Sequence, residues 1–274
     1  MIGTLIKHEV IRTRALLLTI AGAASAVGVV GALTAATGWP VLSQFGVLLG
    51  LAGTFGLVPA LQLAQAVDYW RSSYGRIGYF TQTLPVRGSR IYWAKVVWGA
   101  VVLVAGLAGT LAIGLVVWFG TAAQVGLEPL DIFPLVGDAL ALAFKASPWL
   151  TAVAAPVLLL LLYGLNTVTL LSAASLGSEQ RMHRLGLGGP VLVWFALHTA
   201  TQLVMLVMIL AIPFGLGITT SGELELLPVD MLTAMLQDID LQLMPIGFVP
   251  ALLVLVPLMV WRTARSWNSK VSLA

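Results

Sequence analysis

Long apolar runs alternate with short polar segments along this chain, and the runs have the length of bilayer crossings. Six are readable, at residues 15–37, 41–67, 96–121, 149–176, 190–217 and 245–261, against the roughly 20 residues that a helix needs to cross hydrocarbon. A short Thr-Gly-Trp-Pro turn joins the first two, and Pro59 predicts a kink in the second. The sixth run is the shortest and contains Pro250 and Pro257, so its limits are the least sharply drawn. The pattern predicts an all-α, polytopic membrane protein with six transmembrane helices, built as a single domain over residues 1–274.

Three polar segments carry a helical pattern of their own. In residues 1–14, Ile2, Leu5, Ile6 and Val10 share one face of a helical wheel while Lys7, His8, Arg12 and Arg14 lie elsewhere. This predicts an interfacial helix on an anionic leaflet. It does not read as a signal peptide, because the apolar run that follows is too long and lacks a convincing cleavage site. Glu9 projects near the apolar side, so it either snorkels or needs a basic partner, sought in residues 68–95. In residues 228–243, Val229, Leu232, Met235, Leu236, Ile239 and Leu243 recur at helical spacing, with Asp230, Gln237 and Asp238 off the stripe and Pro228 suited to the first turn. Residues 131–146 form a second, weaker case. Each of these two is expected either to lie on the outer leaflet or to pack against the bundle.

Composition supports the membrane reading. With 59% hydrophobic and 9% charged residues, the chain could not leave its apolar surface in water. The basic residues set the orientation. Thirteen of them (Lys7, Arg12, Arg14, Arg71, Arg76, Arg87, Arg90, Lys95, Arg181, Arg184, Arg262, Arg265 and Lys270) fall on one side of a six-span topology, and only Lys145 falls on the other. That side is the cytoplasm, which also receives both termini. The opposite side collects Glu128, Asp131, Asp138, Glu223, Glu225, Asp230, Asp238 and Asp240. A net charge of +3 therefore reflects membrane anchoring and gives no support to a nucleic-acid partner. The absence of cysteine excludes disulfides and thiolate metal sites.

The most charged stretch is residues 68–95, between the second and third spans. Asp68, Arg71, Arg76, Arg87, Arg90 and Lys95 cannot sit in hydrocarbon. Within it, Ile77, Phe80 and Leu84 are spaced to form one apolar ridge on a helix of about two turns that ends at Pro85. Pro85 to Gly88 reads as a turn, and Ser89 as the N-cap of the helix entering the third span. An apolar ridge flanked by arginines suits a docking element for a soluble partner. A loop packed only on its own bundle is the other reading.

The N-terminal LIKHEVIRTR, the six spans and the loop SYGRIGYFTQTLPVRGSRIYWAKVV together resemble permease subunits of ABC exporters of the ABC-type-2 class, also called type V or ABCG-like. The matching positions are Gly78, Tyr79, Leu84, Pro85, Arg87, Arg90, Ala94 and Lys95. The loop match covers about a tenth of the chain, whereas the span layout covers nearly all of it. Arg76-Ile77 departs from the small or acidic residue frequent in relatives, which alters the charge of the docking surface. The resemblance implies an elbow helix at residues 1–14 and a coupling helix in the loop, with Arg76, Ile77, Tyr79, Phe80, Leu84, Pro85 and Arg87 as the docking residues. It also implies an extracellular helical segment over 218–244. The partners would be two ATP-binding subunits and a second permease, identical or related, in a cell membrane.

ATP and magnesium would belong to the partner, because this chain has no G-x-x-x-x-G-K-[ST] stretch and not even a Gly-Lys dipeptide. By the same resemblance, the second and fifth spans would line a substrate path through Phe55, Gln62, His198, Gln202 and Met205, with an amphipathic cargo such as a drug, a lipid or an antimicrobial peptide. His198, Gln202 and Met205 do fall on one helical face, where hydrogen bonding between helices is the other role open to them. Asn166 and Thr169 read as packing residues.

The chain is not expected to be an enzyme. His8, His183 and His198 lie on separate segments and make no metal-ligand pattern. Glu179 and His183 are spaced as a helical salt bridge. No G-x-S-x-G sequence and no mid-span carboxylate offers a hydrolytic centre. The rival reading is an ATP-independent secondary transporter or channel, with three spans plus three in opposite orientation.

Overall fold

The computed structural model describes residues 2–75, 78–83, 85–179, 182, 185–218, 224–237 and 243–269. Among the described residues six helices are long and apolar enough to cross a membrane, so the protein is a multi-pass, all-α membrane protein. The chain divides into two compact units, the division falling between Asp138 and Ala139. Each unit holds three spans.

The first unit is built on α1 (Ile2–Ala35), α2 (Pro40–Ser73) and α4 (Gly88–Thr121), with the short α3 (Gly78–Gln82) between the last two. Each long helix has 34 residues, which at ~1.5 Å per residue is about 50 Å. Hydrocarbon takes up only about 30 Å of that. The surplus therefore stands in the polar region. This alters two expectations. The interfacial helix of residues 1–14 and the first span run together as one helix, because no proline interrupts the backbone between them. The 68–95 loop shrinks likewise, since α2 continues to Ser73 and α4 begins at Gly88, with Arg87 rather than Ser89 at the N-cap position.

Leu17, Leu57, Leu61, Val102, Ile113 and Val117 form the core of this unit. The α1–α2 seam is closer still. A Cβ on Gly53 would lie 2.6 Å from the backbone nitrogen of Gly28, and one on Gly31 would strike the backbone of Gly50. Small residues here let two backbones touch, which is how helices gain contact where lipid supplies no hydrophobic drive.

After α4, two 3₁₀ turns lead into α5 (Ile132–Ala146). In the second unit, a π-helical turn over Leu150–Ala154 opens the fourth span and passes into α6 (Ala155–Leu176). Pro156 has no N–H to give the carbonyl one turn back, and the wider turn accommodates that gap. α7 (Gly188–Ala211) follows. It stops short of the expected residue 217, because Pro213 holds Ile212 in an extended conformation.

The chain then enters a three-stranded antiparallel sheet of order β2–β1–β3, made of β1 (Phe214–Ile218), β2 (Leu224–Pro228) and β3 (Leu243–Pro245). Leu216 stands opposite Leu226 on one side and Met244 on the other. The long amphipathic helix expected over 228–243 is thus replaced. Pro228 ends a strand, and among the described residues of this segment only α8 (Met231–Leu236) is helical, capped by Asp230, whose carboxylate accepts from the Leu232 and Thr233 N–H groups at 3.1 Å. Ile239 and Asp238 lie outside the described residues.

α9 (Phe248–Ser269) completes the unit and runs well past the expected limit at Trp261. Leu165, Phe248 and Leu252 form its buried core, with Met205 and Ile209 packed against them.

Candidate functional site

The surplus ends of α1, α2 and α4 converge on an ionic network that is buried at Lys95 and Glu9 and open at Arg12. Lys95, in the second turn of α4, has a side chain only 4% exposed and places Nζ 2.9 Å from the Glu9 carboxylate of α1. The same Nζ donates to Ser72 Oγ at 2.9 Å and lies 5.6 Å from the centre of the Tyr69 ring. The second oxygen of Glu9 accepts from Arg12, which also reaches Asp68 at 2.6 Å. Two cations and two carboxylates from three helices therefore neutralise one another. A buried ion requires such pairing. Thr13 extends the network, donating to the Glu9 carbonyl and accepting from the Trp98 indole at 2.9 Å.

Ser72 joins this network to the loop. Its hydroxyl accepts from Lys95, and its carbonyl accepts from Thr81 Oγ1 of α3 at 2.7 Å. At Gly78, where α3 begins, an added Cβ would lie 2.6 Å from the Ser73 carbonyl oxygen. The Gly-Tyr pair of the motif thus has a steric reason: only glycine lets α3 press on the end of α2. α3 then turns two aromatic rings outward, with Tyr79 59% and Phe80 71% exposed, packed edge to face at 6.0 Å.

Pro85 and Arg87, between α3 and α4, are exposed, as are Arg71 near the end of α2 and Arg90 in the first turn of α4. None of these three arginines pairs with a carboxylate among the described residues. Arg76, Ile77 and Leu84 lie outside the described residues, so the apolar ridge is represented by Phe80. Chemically, the result is an exposed apolar knob in a segment with exposed arginines that pair with no carboxylate among the described residues, fastened through Ser72 to the network of three membrane spans.

Glu9 has the basic partner that its position called for, and that partner comes from the expected segment. Ser72 was not foreseen. A serine near a helix end carries no signal of its own, and only the need of a buried lysine for a second acceptor could have pointed to it.

The residues expected along a substrate path fall in contrasting surroundings. Phe55 is 64% exposed, whereas Gln62, two turns on in α2, is buried at 3%. On α7, His198 stacks on Trp194 with ring centres 5.4 Å apart. Gln202 is exposed. Met205 is taken up in the core of the second unit. Thr169 behaves as a packing residue, buried and bonded to the Leu165 carbonyl at 2.8 Å.

A second polar seam ties α6 to α9 within that unit. Thr263 donates to Ser172 at 2.8 Å, and Arg262 and Ser266 both bond Glu179, at 3.1 and 2.8 Å. Glu179 is thus paired with α9. His183, its expected partner, lies outside the described residues. Among the described residues no cluster of His, Asp and Glu could hold a metal ion.

Comparison with protein-family models, with curated proteins and with solved structures finds no match for this chain.

Proposed function

We propose that this chain is the membrane-spanning permease subunit of an ATP-driven exporter. It passes the work of ATP hydrolysis, done with magnesium in two separate nucleotide-binding subunits, to the efflux of an amphipathic substrate across a cell membrane. A second permease, identical or related, completes the complex. The observation that carries this reading is α3, an aromatic knob accompanied by exposed arginines and bonded through Thr81 and Ser72 to Lys95 and Glu9. A soluble partner with an apolar cleft and an acidic rim fits such a knob.

When ATP draws the partner subunits together, α3 moves with them. The Thr81, Ser72, Lys95 and Glu9 linkage hands that displacement to α2, α4 and α1 together, as a rigid-body shift of three spans. An ATP-independent carrier is the second reading, favoured by the division into two three-span units. No span carries a central carboxylate to couple an ion gradient, which weighs against it.

Phe80→Asp separates the two. Under the exporter reading, this variant reaches the membrane folded but no longer co-purifies with a nucleotide-hydrolysing chain and loses substrate-stimulated ATP hydrolysis. Retention of both would remove α3 from the docking role.

A further inference from the structure

The helix α5 (Ile132–Ala146) has no buried residue along its 15 positions, although it is tied to membrane spans at both ends. Ahead of it, the Trp118 indole of α4 donates to the Pro129 carbonyl at 3.0 Å. At its end, Thr151 Oγ1, in the opening turn of the fourth span, donates to the Ala143 carbonyl at 2.8 Å. Trp118 lies in the last turn of α4 and Thr151 in the opening turn of the fourth span, so both anchors are at span ends on the side away from the basic loops.

Four of its large apolar residues are ordered, while Leu135 and Leu142 fall on the other side. Phe133, Val136, Leu140 and Phe144 follow one another at spacings of three, four and four, which puts them on one stripe of an α-helix. All four are exposed, at 60%, 47%, 49% and 44%. Asp138 and Lys145, seven apart, share the opposite side. Packing on the bundle, the other reading open to this segment, does not describe a helix that buries none of its residues.

We infer that α5 lies in the membrane plane with Phe133, Val136, Leu140 and Phe144 inserted among the acyl chains of the outer leaflet. The lipid around the adjoining spans is continuous with that stripe, and the exposed Trp149 marks the interface just beyond the end of the helix. Asp138 and Lys145 cancel, so insertion is driven by apolar area and is indifferent to anionic lipid.

The chain has no cysteine, so single cysteines can be introduced into the full-length protein and spin-labelled in phosphatidylcholine vesicles with and without phosphatidylglycerol. The readout is collision of the nitroxide with oxygen, which concentrates in lipid, against collision with a water-soluble nickel chelate. Labels at Phe133, Val136, Leu140 and Phe144 are expected to give an oxygen-to-nickel ratio several-fold above that at Asp138, Leu142 and Lys145, in both lipid mixtures. Leu142 discriminates, being apolar yet on the polar side. High nickel access at all seven positions would put the helix in water and overturn the inference. Exclusion of both reagents from the stripe would mean that protein, such as a second copy, covers it, which also overturns it. Should substitution of a phenylalanine disturb folding, the labels at Asp138, Leu142 and Lys145 leave the stripe intact, and shielding of all three from nickel would equally refute it.

Discussion

Lys95 is the residue on which the inner end of the first unit turns. It is almost fully buried, and it holds Glu9 through charge and Ser72 through a hydrogen bond. Removing Lys95 takes away one of the two cations on Glu9 and leaves Arg12 alone to answer two carboxylates, Glu9 and Asp68. Lys95→Met is therefore expected to lower stability by about 3 kcal/mol, seen as a lower midpoint of thermal unfolding in detergent. Adding Glu9→Gln removes the surplus charge and is expected to recover most of that loss. If the double variant were as unstable as the single one, the pair would not be the source of the effect. That Glu9 needed a cation could be read from the chain, because a carboxylate on the apolar side of a helix has few alternatives. Which cation answers depends on the register of α1 against α4, and register is a property of packing that no local pattern carries.

At the scale of elements, hydropathy marked where the chain crosses lipid but not where its helices end. α1, α2 and α4 overrun their apolar segments because backbone hydrogen bonding continues until a breaker or a capped end stops it. α7 stops early, by contrast, because Pro213 is such a breaker. The strands were illegible for another reason. The same spacing of Val229, Leu232 and Leu236 that suggests a helix is compatible with a short helix between two strands, and pairing with β1 decides between them.

The glycine contacts give a direct test of the α1–α2 seam. Gly31→Leu pushes a side chain into the backbone of Gly50 and is expected to cost about 2 kcal/mol or more, whereas Gly22→Leu, where a Cβ meets nothing, is expected to be near neutral. Equal effects on the unfolding midpoint would mean that the seam is not tightly packed.

α8 supplies the pH test. The side-chain and backbone donors of Thr233 hold the Asp230 carboxyl below the usual aspartate range. A carboxyl depressed in the folded state stabilises above its unfolded pKa, and its contribution is lost as pH falls through the lower folded value. The Thr233 amide resonance is thus expected to titrate with a midpoint below the ordinary value of about 3.9. In Asp230→Asn, which keeps an N-cap acceptor, that titration is expected to vanish.

At the scale of the whole molecule, six spans were legible from composition and periodicity, because a bilayer imposes one length and one polarity on every crossing. The proposed partner and cargo leave no such imprint. They would be recognised by surface chemistry, and a surface feature with a defined chemistry on the basic side is α3, with Tyr79 and Phe80 exposed in a segment that also exposes Arg71, Arg87 and Arg90. The central claim is that force enters here from another chain's nucleotide cycle. The most direct measurement is a photo-crosslink from position 80 of the full-length protein in its native membrane, with the captured chain identified by mass spectrometry in the presence and absence of ATP. The account predicts capture of a chain carrying a glycine-rich phosphate loop with its lysine, at a yield that changes with ATP. Transport by the purified chain alone, with position 80 reaching no nucleotide-hydrolysing partner, would contradict it.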